Sequence, residues 1–224
     1  ASAIKVDPDL YQHIDPGLVG NHIRMLVSDM AGRASIELKG KELGVDLGDD
    51  RATVARVVER VKERELAGYT YEAADASFEL LLRDEVEGGP RNYFRIESWR
   101  AIVEDRPDGT HCDETTVKLW VGDERIVATA DGQGPVNALD RALRTGLERL
   151  YPELAKLELV DYTVRILGGE HSTKSTARVL VTTSDSAARW TTVGVADSVI
   201  AASWRALEDA YAYGLLRAGV RPAA

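Results

Sequence analysis

The stretch 125–143, RIVATADGQGPVNALDRAL, has a counterpart without a gap in 189–207, RWTTVGVADSVIAASWRAL. Arg125 and Arg189, Ala138 and Ala202, Arg141 and Arg205, Ala142 and Ala206, and Leu143 and Leu207 coincide at a constant offset of 64 residues. In both stretches, alternating apolar and polar residues give way to apolar residues three or four apart, which is a strand running into a helix. The first helix carries Val136, Leu139, Leu143, Leu147 and Leu150 on one stripe, and the second Ile200, Trp204, Leu207, Tyr211 and Leu215. Pro135 suits the first helical turn, where its missing N–H would have no partner.

Two further strands precede each of these units. Alternation over 93–99 and 115–121, joined across Pro107-Asp108-Gly109, leads into the strand 125–129. Alternation over 159–167 and 176–183 leads into 189–195. The second half therefore reads as two βββα units of one design. Each has an apolar sheet face and an apolar helix stripe, and a helix covers only part of a sheet. The remainder must be buried by the other unit or by a second copy, so a homodimer is expected.

Ahead of the repeat the pattern is helical. Val54, Val57, Val58 and Val61 form one stripe over 52–67, with Gly68 as its stop. A second helix is expected after Asp75 as its N-cap, with Phe78, Leu81, Leu82 and Val86 turned inward. Gly88-Gly89-Pro90 breaks the chain. Before Asp50, frequent glycine and proline leave room only for an irregular connector and one short apolar run, 23–27. The expected class is α+β: a connector over 1–50, a helical linker subdomain over 51–89, and a βββα-repeat domain over 90–224.

Composition narrows the function classes. Of 224 residues, 44% are hydrophobic and 29% charged, which is ordinary for a globular chain. A net charge of −9 repels phosphate backbones, so nucleic acid is not an expected partner. No run approaches the roughly 18 apolar residues of a membrane span. The single cysteine, Cys112, forms no internal disulfide, and a reducing, cytoplasmic setting is expected.

Five ordered motifs give the chain a family likeness. Residues 11–21, YQHIDPGLVGN, and 28–33, SDMAGR, are similar to the linker of the synthases that join an acyl-CoA to a 2-oxo acid. Within that α-isopropylmalate/citramalate synthase family they look most like the citramalate type, with its Y-x-H-I-D-P-x-x-V-G-N element. Residues 132–139, GQGPVNAL, resemble the G-x-G-P-V-x-A-L turn of the family's allosteric domain. Residues 159–166, LVDYTVRI, resemble its L-x-D-Y-x-V-R-I strand, and 190–195, WTTVGV, running on to Ala202-Ser203-Trp204, its W-x-T-V-G-V…A-S-W element.

The resemblance implies a regulatory and dimerising region that senses isoleucine, or else leucine. It implies a catalytic TIM barrel elsewhere, holding a divalent metal (Mg or Mn) through an Asp and two histidines two residues apart. His13, His22, His111 and His171 do not have that spacing, so no cofactor or metal is expected in this chain and no turnover by it alone. The opening residues look like the end of the barrel running into the linker, as in a piece of a longer protein.

Candidate residues follow. The turn Gly132, Gly134, Pro135, Val136 and Asn137 opens a helix, where free amides and the dipole suit a carboxylate; bare of ligand, it is a tight strand-to-helix turn. The resemblance assigns Leu159, Tyr162 and Ile166 to the apolar wall around an effector side chain. Asp161 is the candidate partner for an effector's ammonium. Strict alternation does not place Leu159 and Tyr162 on one face, so a bend is required. Tyr11 and His13 are the linker positions that would approach a partner's barrel, though Ile23 stands where leucine-responsive relatives carry tyrosine. A purely structural dimerisation module remains the alternative.

Overall fold

The structure, a computed structural model, describes residue 18 and residues 33–45, 47, 50–105, 107–168 and 176–223. The apolar run 23–27, Tyr11 and His13 lie outside the described residues. Two units are distinguished: Ala1–Ala73 with Phe78–Pro90, and Ala74–Ser77 with Arg91–Ala224.

The first unit contains helices α1 (Arg33–Glu42) and α2 (Arg51–Leu66) and most of α3 (Asp75–Glu87). Asp50 caps α2 by accepting from the Ala52 amide at 2.9 Å. Val54, Val57 and Val61 are buried along its stripe, as are Phe78, Leu81 and Leu82 along α3. Val86 departs from the expected inward position and is exposed. Glu85 turns toward α2 instead, 3.8 Å from Arg56 and 3.5 Å from Arg60. Helix α1 forms inside the stretch read as irregular from its glycines. Gly40 is there for close approach, since a Cβ would meet Leu47 Cδ1 at 3.1 Å. Gly44, at φ +68°, ends the helix in a Schellman turn with Val45 N bonded to Gly40 O. These glycines stop or pack a helix; they do not forbid one.

The second unit is α+β, two three-stranded antiparallel sheets each followed by a helix. Strands β1 (Arg95–Asp105), β2 (His111–Val121) and β3 (Glu124–Gly132) are ordered 1-2-3 and lead into α4 (Pro135–Leu147). Strands β4 (Glu158–Leu167), β5 (Thr176–Ser184) and β6 (Arg189–Ala196) are ordered 4-5-6 and lead into α5 (Val199–Arg217). Tyr93 precedes β1, buried, with its carbonyl accepting from Tyr151 Oη at 2.6 Å. Leu150 lies beyond α4, where Pro152 opens a short 3-10 turn.

Helix α4 packs mainly on β2 and β3, and α5 on β5 and β6. Val117, Leu119, Leu139, Leu143, Val179, Val181, Leu207 and Tyr211 join one core. Tyr211 donates to Asp140 Oδ1 at 2.8 Å, tying α5 to α4. Both edge strands β1 and β4 carry a bulge at the same point of the repeat, between Ile96 and Ser98 and between Leu159 and Asp161.

Candidate functional site

Gly134 is the N-cap of α4 at φ 115° and ψ 153°, a conformation open essentially to glycine alone. It provides no side-chain cap. Asn137 reaches back instead, its Oδ1 accepting from the Gln133 amide at 3.1 Å. The amides of Val136 and Asn137 fall in the first turn, where a helix offers no internal acceptor. In the second repeat Ser198 caps the equivalent end, accepting from the Ala201 amide at 3.1 Å. The first repeat has no such side-chain cap, and its Val136 and Asn137 amides suit an anion.

The β4 bulge settles the parity problem posed by Leu159 and Tyr162. Leu159 pairs with Thr183 and Tyr162 with Val181, while Val164 and Ile166 pair with Val179 and Ala177. Those four β5 partners are buried on the face toward α5, so Leu159, Tyr162, Val164 and Ile166 share that face. The phenol of Tyr162 lies 2.7 Å from Ser203 Oγ on α5. Ser203 spends its own hydrogen on the Val199 carbonyl at 2.6 Å, which makes Tyr162 the donor. Yet the row is not covered: Leu159 is 37% exposed, Tyr162 41%, Val164 39% and Ile166 55%. Val164 and Ser203 were not singled out from sequence. Simple alternation would have found Val164, whereas Ser203 joins only through the packing of α5.

Asp161 faces the other way. It pairs with Thr182, and its Oδ1 accepts from the adjacent Tyr162 amide at 2.8 Å. The structure thus brings Leu159, Tyr162 and Ile166 together and separates Asp161 from them. Gly132, Gly134, Pro135, Val136 and Asn137 form one turn. That turn and the β4 row are built on different sheets: α4 packs chiefly on β1–β3, and β4 chiefly on β5.

Among the described residues, no three His, Cys, Asp or Glu side chains gather where a metal ion would sit. No described helix is long and apolar enough to cross a membrane.

The family model described as "LeuA allosteric (dimerisation) domain" matches residues 72–215. The chain is 78% identical over 223 residues to the (R)-citramalate synthase of Streptomyces coelicolor, covering 100% of the chain and 42% of that protein. It is 41% identical over 215 residues to the (R)-citramalate synthase of Geobacter sulfurreducens, covering 96% and 40%. With that of Aquifex aeolicus it shares 40% over 218 residues, covering 97% and 41%. The chain spans about two fifths of the length of the curated relatives it matches.

Proposed function

Because the chain belongs to the LeuA allosteric (dimerisation) domain family, we propose that it is the effector-sensing and dimerising region of a citramalate synthase-like enzyme, with isoleucine as its effector. The parent reaction is a Claisen-type condensation of acetyl-CoA with pyruvate, carried out on a metal-dependent TIM barrel in the rest of that enzyme. The observation that carries this reading is the exposed row Leu159, Tyr162, Val164 and Ile166 on the helix-facing side of an edge strand. Apolar side chains lined up on one face, only partly covered, are surface awaiting a partner. A second copy covers the row, and part of it walls the effector's side chain. The effector's carboxylate sits on the Val136 and Asn137 amides at the start of α4.

One methyl placed differently is worth about 1–3 kcal/mol in an apolar pocket, so isoleucine is preferred over leucine by tens-fold at most. A leucine-sensing 2-isopropylmalate synthase region is the nearest competitor. Dimerisation without effector binding is favoured by one observation, that the turn and the row lie on different sheets of one copy.

The test is calorimetric titration of the chain and of Gly134→Val with isoleucine and leucine, with light scattering alongside. Isoleucine binds the wild type more tightly than leucine, and a folded Gly134→Val binds neither. A dimer that gives no heat leaves only the structural module. Preference for leucine overturns the choice of effector, and undiminished binding by Gly134→Val overturns the place of the carboxylate.

A further inference from the structure

The sheet beneath the open end of α4 holds a buried acid. Asp113 opposes Gly132 in the β2–β3 ladder and Val103 in the β1–β2 ladder. Opposed residues share a face with their Cβ positions about 5 Å apart. The Gly132 face is the one on which α4 begins: a Cβ there would lie 2.3 Å from Ala138 N and 2.9 Å from the Asn137 carbonyl carbon. The Asp113 side chain therefore rises beside the first turn of α4. It is 7% exposed, and its Oδ1 has no hydrogen-bond partner. Two residues along the same face, Thr115 is completely buried and its Oγ1 is also without a partner.

A carboxylate oxygen buried without a donor is unfavourable, and a neighbouring helix dipole offsets only part of that cost. The arrangement is complete only when a donor arrives. A second anion at the helix end would be repelled by Asp113 unless it brought its own cation. An α-amino acid does so, its ammonium and carboxylate being attached to one carbon. We propose that Asp113 is the ammonium-binding residue of the effector site, with Thr115 Oγ1 as a further acceptor and the Val136 and Asn137 amides holding the carboxylate. This rests on the effector reading above and deepens it. It moves the ammonium from Asp161, which faces the opposite side and accepts from its own strand. It also sets the ligand class: a zwitterion is preferred over a plain carboxylic acid, a phosphate ester or a simple amine.

The test uses the whole 224-residue chain and three probes in calorimetry. They are L-isoleucine, 3-methylpentanoate (which lacks the amino group) and 2-methylbutylamine (which lacks the carboxylate). The wild type binds isoleucine at least tenfold more tightly than either analogue, as expected when a charge-assisted hydrogen bond is lost. Asp113→Asn weakens isoleucine at least tenfold while leaving 3-methylpentanoate unchanged or tighter, so the preference for the amino acid collapses. Thr115→Val, which keeps the volume, weakens isoleucine by a few-fold, and the wild-type analogue series decides if Asp113→Asn does not fold.

Equal binding of isoleucine by folded Asp113→Asn and wild type overturns the assignment, as does equal wild-type binding of 3-methylpentanoate and isoleucine. If Gly134→Val abolishes binding and Asp113→Asn does not, the pocket stands and the ammonium assignment falls. No heat from the wild type with any branched-chain amino acid removes both.

Discussion

Gly194 lies on β6 where α5 crosses it, and Gly194→Ala measures how closely the two are packed. A Cβ at this position would sit 2.0 Å from the Ala202 carbonyl oxygen and 2.6 Å from the Ala206 nitrogen. Both are backbone atoms of α5, so no side chain can rotate aside, and the helix must retreat by roughly an ångström or more to reach ordinary contact. A gap of that size forfeits a quarter to a half of each dispersion well facing it. Leu207, completely buried on α5, makes about 50 such contacts of about 0.1 kcal/mol each, so it alone loses about 1–3 kcal/mol. With Ala202 and Ala206 on the same face, the expected cost is about 3 kcal/mol or more. Urea unfolding followed by circular dichroism reads this directly. With a slope of about 2 kcal/mol per molar, the midpoint falls by about 1.5 M. Gly134→Ala is the control, because nothing lies within 4 Å of its Cβ and only the φ of +115° is strained. Its cost is about 1–2 kcal/mol. A Gly194→Ala midpoint within about 0.3 M of wild type, or a larger loss from Gly134→Ala, refutes the packing argument.

Ile166→Lys places a charge at the most exposed point of the β4 row and is expected to convert a dimer to a monomer by light scattering at tens of micromolar. Since Ile166 is 55% exposed within one copy, the monomer's own stability changes by less than about 0.5 kcal/mol; a dimer that persists shows that β4 is not the interface. Burial and the neighbouring Asp209 carboxylate push the Glu208 carboxyl up to about 7, against the pull of Arg205 and the Trp204 indole. The folded chain therefore keeps a proton that the unfolded chain loses near pH 4.5, so this group's contribution to stability falls as pH rises to about 7 and is level above it. Glu208→Gln should remove that slope and raise stability at pH 8 by about 1–3 kcal/mol relative to wild type. An equal difference between variant and wild type in urea midpoints at pH 4.5 and pH 8 would contradict it.

The alternation over 115–121, the stripe from Leu139 to Leu147 and the 64-residue offset of Leu143 and Leu207 were legible in the sequence. Each depends on residues close together along the chain, and local periodicity records which side of an element is buried. That is why two βββα units, and the glycine turn at 132–134, follow from sequence. What failed was set by geometry that alternation does not encode. One unpaired residue at the β4 bulge changes the phase of the strand, bringing Leu159 onto the face of Tyr162 and turning Asp161 away. On α3 the helical stripe that begins at Phe78 reaches Glu85 rather than Val86, and Glu85 lies 3.8 Å from Arg56 and 3.5 Å from Arg60. Asp113 in sequence is one acid in a polar hairpin of a chain with 37 Asp and Glu. Only pairing with Gly132, and the descent of α4 onto that glycine, bury its carboxylate without a donor. Burial and the loss of hydrogen-bond partners belong to contacts between residues distant in the chain, so the sequence by itself determined the elements of the two repeats, though not α1, and the tertiary structure decided which polar groups were buried without a partner.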